Sequence, residues 1–390
     1  MTRKGVWDLQ EVRDKYLQSL WTNDASGWSW GSGSYGQLGT GTVPSQSSPA
    51  QITGNWTSIA GYRFGGGGVK DDGTLWTWGD NENGENGINN RTAKYDPTQV
   101  GTDSTWSVVS SSNGKASYFT KTDGTLWVCG ENQNGRLGLN DDILRSSPTQ
   151  MGTDTNWTYA AGAMAGAHGI KTDGTLWAWG LGTDGRIGDG SQEMYSSPRQ
   201  IPGTSWAQTT ESEDHTMAVR TDGTLWVWGK NERGQIGQNN RTEYSSPRQV
   251  PGTWAYSDYN FGACQNEQVS GAIKADGTLW MWGYNHTGAL GQNQPMPAGS
   301  RSSPVQVGTG SDWKSIRMGS GDPTVIAVKT DGTIWSWGNA GNGALGTNQH
   351  TTSRSSPCQI GSESTWDAAA HMTGSGTCYA IQKPLTPSQL

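Results

Sequence analysis

The side chains able to bind metal, move protons or attack a carbonyl are scattered here rather than grouped. Five histidines (His168, His215, His286, His350 and His371) fall at different offsets, so they supply no set of equivalent ligands. Four cysteines (Cys129, Cys264, Cys358 and Cys378) lie far apart without the C-x-x-C spacing of a zinc site, and read as small buried fillers. Cys358 and Cys378 are the one pair close in sequence. Six aspartates recur, each beside a glycine, which is the chemistry of a turn; their spacing gives no acid pair for glycoside cleavage. Seven G-x-x-G segments lack the lysine and hydroxyl residue of a phosphate cradle. No Ser, His and Asp set stands out. The expectation is therefore a protein with no catalytic residue, no metal ligand and no cofactor.

What these residues do share is a period of roughly 50 positions. Trp-x-Trp-Gly begins at Trp28, Trp76, Trp177, Trp226, Trp280 and Trp335, with a seventh copy at Trp127 that carries Cys129 in place of the second indole. Five residues after each motif glycine comes the first glycine of G-x-x-G: Gly36, Gly84, Gly135, Gly185, Gly234, Gly288 and Gly343. A proline and then a lone tryptophan close each unit, from Pro49 and Trp56 to Pro357 and Trp366. With 22 tryptophans, 58 glycines and three phenylalanines, the indoles must supply much of the core. Each buried one contributes about 3 kcal/mol and needs an acceptor for its N–H.

Asp-Gly stands four residues before the first motif tryptophan in six units, at Asp72, Asp123, Asp173, Asp222, Asp276 and Asp331. Asp-Gly between short strands predicts a hairpin with a type I′ turn, in which both central residues have positive φ. In the strand Thr175-Leu176-Trp177-Ala178-Trp179 the indoles point to one side and Leu176 and Ala178 to the other. Both faces are apolar, so the sheet must be covered on both sides, as in a ring of stacked blades. Ser26-Gly27-Trp28 at one end lacks a preceding strand, and Thr377 to Gln382 at the other lacks a following Trp-x-Trp-Gly. Pairing these halves removes the free edges and closes the ring.

Trp-x-Trp-Gly, Gly-x-Leu-Gly, Pro-x-Gln-Val, Trp and Asp-Gly, in this order from about residue 24 to 382, resemble RCC1-type repeats. The resemblance implies an all-β, seven-bladed propeller over 23–383, closed by its N- and C-terminal strands, with a C-terminal tail at 384–390. The nucleotide exchange and chromatin docking of eukaryotic members do not carry over: only Arg3 and Lys4 stand where a basic tail is needed, and the family's histidine appears at its offset once, as His215. The regularity of the units is similar to that of bacterial and viral members.

Residues 1–22 break the repeat and predict a short helix starting at Asp8, with Glu11 completing a capping box. Leu9, Val12, Tyr16, Leu17 and Leu20 form its apolar stripe, and Val6 and Trp7 precede it. So short a helix needs a surface to dock on, either the propeller itself or another protein. Lys4 to Gln10, followed by a charged helix and Trp21, resembles N-terminal segments of structural proteins in tailed bacteriophages, marine phages above all. That likeness implies a virion component assembled in the host cytoplasm, with capsid or tail proteins as partners of the anchor.

The net charge of −7 carries no basic run, which argues against nucleic acid as a partner; no stretch is apolar enough to span a membrane, and the N-terminus does not read as an export signal. Contact surfaces are expected where the repeat is interrupted. Between Trp254 and Asp276 an insertion carries Tyr256, Tyr259, Phe261 and Cys264; between Gly291 and Pro304 another carries Pro295, Met296 and Pro297. Tyr62, Arg63 and Phe64 are a weaker candidate. The expected function is a non-enzymatic virion structural protein, displayed on a phage particle as capsid decoration or as a tail or fibre component, that contacts neighbours or a host-surface protein or glycan. A carbohydrate-binding module or a soluble protein-inhibiting propeller is the alternative.

Overall fold

The computed structural model describes residues 26–382, apart from 111–113, 163, 213, 257–260, 265–267, 295–298, 320–322, 350–351 and 373–375. The expected helix within 1–22 and the tail at 384–390 lie outside the described residues. Within them the chain is an all-β propeller, built from short antiparallel strands with three single-turn 3-10 segments. There are six sheets: five of four strands and one of seven. The seven-stranded sheet owes its size to one 17-residue strand, Gln46–Tyr62, whose first part pairs with Ser26–Gly31 and whose second part pairs with Gly65–Lys70.

The ends of the repeat meet as expected. Ser26–Gly31 runs antiparallel to Thr377–Gln382 in unbroken register, from Ser26 opposite Gln382 to Gly31 opposite Thr377. The strand Trp366–Met372 continues that sheet and packs against Trp313–Met318 on one side and Gln46–Tyr62 on the other.

The turns depart from the expected type. Gly73, Gly124, Gly174, Gly223, Gly277 and Gly332 all have φ between +76° and +81°, but none of the six aspartates before them has positive φ. Gly73 N–H donates to the Lys70 carbonyl and Lys70 N–H to the Thr74 carbonyl, so residues 70–73 form a four-residue turn whose last residue is the left-handed glycine. The cause lies in the aspartate side chain. Asp72 Oδ1 accepts both the N–H and the hydroxyl of Thr74, at 3.0 and 2.5 Å, and holds the residue on the ordinary side of φ.

The double-faced strand behaves as its alternation requires. On Leu176–Gly180, Trp179 is buried with half-buried Trp177 in a cluster containing Trp157, Tyr118 and Val128. Leu176 and Ala178 face the opposite way, into a cluster with Trp206, Ala218 and Trp228. Each sheet thus contributes to two interfaces, one per neighbour.

A polar tie crosses each of these interfaces. The second motif indole donates its N–H to the carbonyl of the residue after the first glycine of the preceding G-x-x-G: Trp78 to Gln37, Trp179 to Arg136, Trp228 to Arg186, Trp282 to Gln235 and Trp337 to Ala289, at 2.7–3.0 Å. Trp30 does the same to Ala344, 314 positions later in the chain. Where Cys129 replaces the indole, its thiol donates to the Glu85 carbonyl at 3.3 Å, and Phe119 packs in the same cluster. Glycine is needed in these loops on two grounds. Gly39 has φ +65°, and a Cβ there would stand 2.8 Å from the Trp78 indole nitrogen.

Candidate binding surfaces

The repeated aspartates are consumed by structure. Asp173 Oδ1 accepts the Thr175 hydroxyl and N–H at 2.7 and 2.9 Å, and Thr175 Oγ1 in turn accepts the Trp177 indole N–H at 2.9 Å. The Thr175 hydroxyl, and then its N–H, hold the Asp173 carboxyl below the usual carboxylate range. The same relay runs from Asp72, Asp123, Asp222, Asp276 and Asp331 to the first motif tryptophan of each unit.

Above each relay sits a basic side chain between two indoles. Lys121 Nζ lies 4.7 Å from the Trp106 ring and 4.2 Å from Trp127; Lys171 lies 4.7 and 4.3 Å from Trp157 and Trp177. Arg220 clamps between Trp206 and Trp226, Lys274 between Trp254 and Trp280, Lys329 between Trp313 and Trp335, and Lys70 between Trp56 and Trp76. Three of these lysines also meet a carboxylate: Lys121 with Asp103 at 2.5 Å, Lys171 with Asp154 at 2.8 Å and Lys329 with Asp312 at 3.1 Å. The Lys121 ammonium pulls the Asp103 carboxyl down to about 2. Reading the sequence missed these clamps, although the signal was present: a Lys or Arg stands two residues before the aspartate in all six units.

The clamps border grooves. One, of about 540 Å³, is lined by Trp313, Lys329, Trp335, Asn293, Gln306 and Pro357 among others; a second, of about 570 Å³, by Trp28, Trp366, Glu363, Asn348, Gln359 and Pro49. Trp313, Trp335, Asn293, Gln306 and Pro357 of the first stand at the same repeat positions as Trp366, Trp28, Asn348, Gln359 and Pro49 of the second.

His215, fully buried, makes the most enzyme-like constellation. Its Nδ1 is 2.7 Å from Ser212 Oγ and its Nε2 is 2.8 Å from Ser270 Oγ in the neighbouring sheet. Ser270 donates its own proton to the Gln235 carbonyl at 2.9 Å, so His215 Nε2–H must donate to Ser270. Burial pushes the imidazole down to about 4, leaving it neutral. Ser212, His215 and Ser270 all have zero exposure, so the chain of hydrogen bonds ties two sheets and meets no substrate. His168 is also buried, at a different strand position, while His286 is exposed and stacks on Tyr284. Among the described residues no three His, Cys, Asp or Glu groups could hold a metal ion.

Of the expected loop contacts, Tyr256 is half exposed. Phe261 begins the strand Phe261–Cys264, but its side chain lies outside the described residues, as do Tyr259, Pro295, Met296 and Pro297. Val6, Trp7, Leu9, Val12, Tyr16, Leu17 and Leu20 lie outside them too. The weaker candidate divides. Tyr62 is buried and donates to the Trp78 carbonyl at 2.7 Å, whereas Phe64 packs tilted against exposed Tyr35 with centroids 4.6 Å apart and carries Arg63 over its ring. Cys129, Cys358 and Cys378 are free thiols. Among the described residues no helix is long and apolar enough to cross a membrane.

A family profile for the regulator of chromosome condensation (RCC1) repeat matches residues 26–61, 123–164, 173–219, 276–328 and 331–378, and a second profile of the same description matches 212–235. Human WBSCR16 superposes with a TM-score of 0.80 at 19% identity, covering 93% of this chain and 100% of that one. Prp20p from Saccharomyces cerevisiae superposes at 0.77 and 17% identity, covering 94% and 93%; that yeast protein has been characterised for binding Gsp1p and histones. Among curated sequences, the E3 ubiquitin-protein ligase HERC2 of Homo sapiens is 37% identical over 79 residues, and the ultraviolet-B receptor UVR8 of Arabidopsis thaliana 33% over 85. Each match covers 20% of this chain, and only 2% and 19% of those proteins' own lengths.

Proposed function

The chain belongs to the regulator of chromosome condensation (RCC1) repeat family, and from that premise we propose that it is a non-enzymatic, seven-bladed binding propeller carried on a tailed-phage particle. The long strand Gln46–Tyr62 supports the blade count: if its two halves are assigned to different blades, the seven-stranded sheet becomes two units of four that share it. Seven indole or thiol ties, one per repeat, support the same count.

The observation that carries the binding role is the commitment of the repeated polar groups to the scaffold. The aspartates hold threonines, the threonines hold indoles, and the Ser–His chain at His215 is sealed from solvent. A scaffold of this kind leaves its loops and grooves to act by contact. Sugar stacking on the repeated indoles is disfavoured as the general role, because cations cover those rings in six units. The virion assignment rests on the likeness of residues 1–22 to phage structural proteins, with those residues as the anchor to capsid or tail proteins. Deleting 1–22 tests it: the ring keeps its fold and the protein is lost from purified particles. Unchanged incorporation overturns the anchor.

A further inference from the structure

Among the described residues, one of the seven indole pairs holds no cation. Trp28 and Trp366 stand with centroids 6.0 Å apart and planes at 69°, matching Trp106 and Trp127 at 6.0 Å and 76°. Lys121 opposes Trp106 in register, as Lys171 opposes Trp157; opposite Trp366 the residue is Gln382. Glu363 precedes Trp366 by three positions, as Asp103 precedes Trp106 and Asp154 precedes Trp157, and those two carboxylates pair with the clamped Lys121 and Lys171, while Lys329 pairs with Asp312 from a different position. At the seventh position, then, two indoles and a carboxylate remain while the positive charge they surround elsewhere is replaced by a neutral amide.

That amide does not use up the site. Gln382 Nε2 donates to Glu363 Oε2 at 3.1 Å and to Thr365 Oγ1 at 2.5 Å, and the other Glu363 oxygen has no partner among the described residues. The groove beside the two indoles has a volume of about 570 Å³. We propose that this groove receives the side chain of a lysine or arginine from a partner protein, its charge set against the indoles and Glu363. The occupant is argued from charge complementarity and from the six sister clamps, which hold a Lys or Arg between the same pair of rings. Arg354 also lines the groove, and its charge opposes an incoming cation. This inference stands apart from the virion reading and holds for the chain wherever it resides.

The test uses the full chain with its indole nitrogens labelled, Trp28 and Trp366 being assigned by single substitution to Phe. A short peptide with one lysine, acetyl-Gly-Lys-Gly-amide, is titrated by NMR beside its norleucine counterpart. The lysine peptide shifts the Trp28 resonance and the norleucine peptide does not. Gln382→Lys supplies the missing cation from within, so it weakens the peptide about tenfold or more and raises the melting temperature. Gln382→Met leaves binding in place, and Arg354→Ala strengthens it. Equal shifts from both peptides, no shift up to tens of millimolar, or undiminished binding to Gln382→Lys overturns the proposal. So does a shift of the two indoles on Lys383→Ala alone, which would make the chain's own next residue the occupant.

Discussion

The Trp228 indole N–H donates to the carbonyl of Arg186, 42 positions earlier and in the neighbouring sheet, at 2.9 Å. The same carbonyl also accepts the Thr216 hydroxyl at 3.0 Å. One backbone oxygen therefore gathers two donors from the next sheet, and the loop holding it cannot shift without breaking both.

Removing that ring tests how far packing outweighs the polar tie. Trp228→Ala empties a fully buried site and is expected to destabilise by about 3–5 kcal/mol in denaturant unfolding. Trp228→Phe keeps most of the apolar volume and loses the N–H, while Thr216 still satisfies the Arg186 carbonyl, so the cost attributable to the hydrogen bond is about 1 kcal/mol. A loss below 1 kcal/mol for the alanine variant contradicts the core placement.

Glu85 gives stability a dependence on pH. It is 2% exposed, and burial pushes its carboxyl up to about 7. A folded value above the unfolded one means the neutral acid is favoured by folding. Its contribution is fully present below the unfolded value near 4.5 and is lost as pH rises through about 7, amounting to about 1–3 kcal/mol. Gln37 and Gln235 occupy the same place in their repeats and accept the N–H two residues before them, as Glu85 accepts that of Asn83. Glu85→Gln is therefore expected to raise the melting temperature at pH 8 and to flatten its fall between pH 5 and about 8. A variant as pH-sensitive as the parent rules out this assignment.

Lys171 separates cation–π from ion-pair stabilisation. Lys171→Met keeps the apolar stem over Trp157 and Trp177 and removes the charge, and is expected to cost about 1–2 kcal/mol. Asp154 is half exposed, so Asp154→Asn costs under about 1 kcal/mol. If Asp154→Asn is the more damaging in a double-mutant cycle, the carboxylate and not the indole pair holds the lysine.

The propeller and the pairing of its end strands could be read from the chain, because both follow from period and alternation. A strand with Trp177 and Trp179 on one side and Leu176 and Ala178 on the other has no stable place except between two neighbours. The turn type could not be read from Asp-Gly alone, since the Asp173 carboxylate, by accepting from Thr175, selects a conformation that backbone preference does not. The clamps went unread for a different reason. Lys171 and Trp157 are 14 positions apart and meet only because antiparallel pairing sets them opposite each other. Likewise the open clamp at Trp28 joins residues from the two ends of the described chain, and nothing local to Gln382 marks it.

The register of Ser26 opposite Gln382 also bears on how the molecule comes into being. Ser26 leaves the ribosome long before its partner strand exists, so the first sheet waits, incomplete, through the synthesis of every other repeat. Contacts of such sequence separation slow folding, because the intervening chain must be ordered before they form. The last step is then the docking of six residues into a gap already shaped by the rest. A chain stalled or cleaved before Thr377 leaves Ser26–Gly31 without that neighbour, and such species are the ones expected to be captured by chaperones or to join edge to edge.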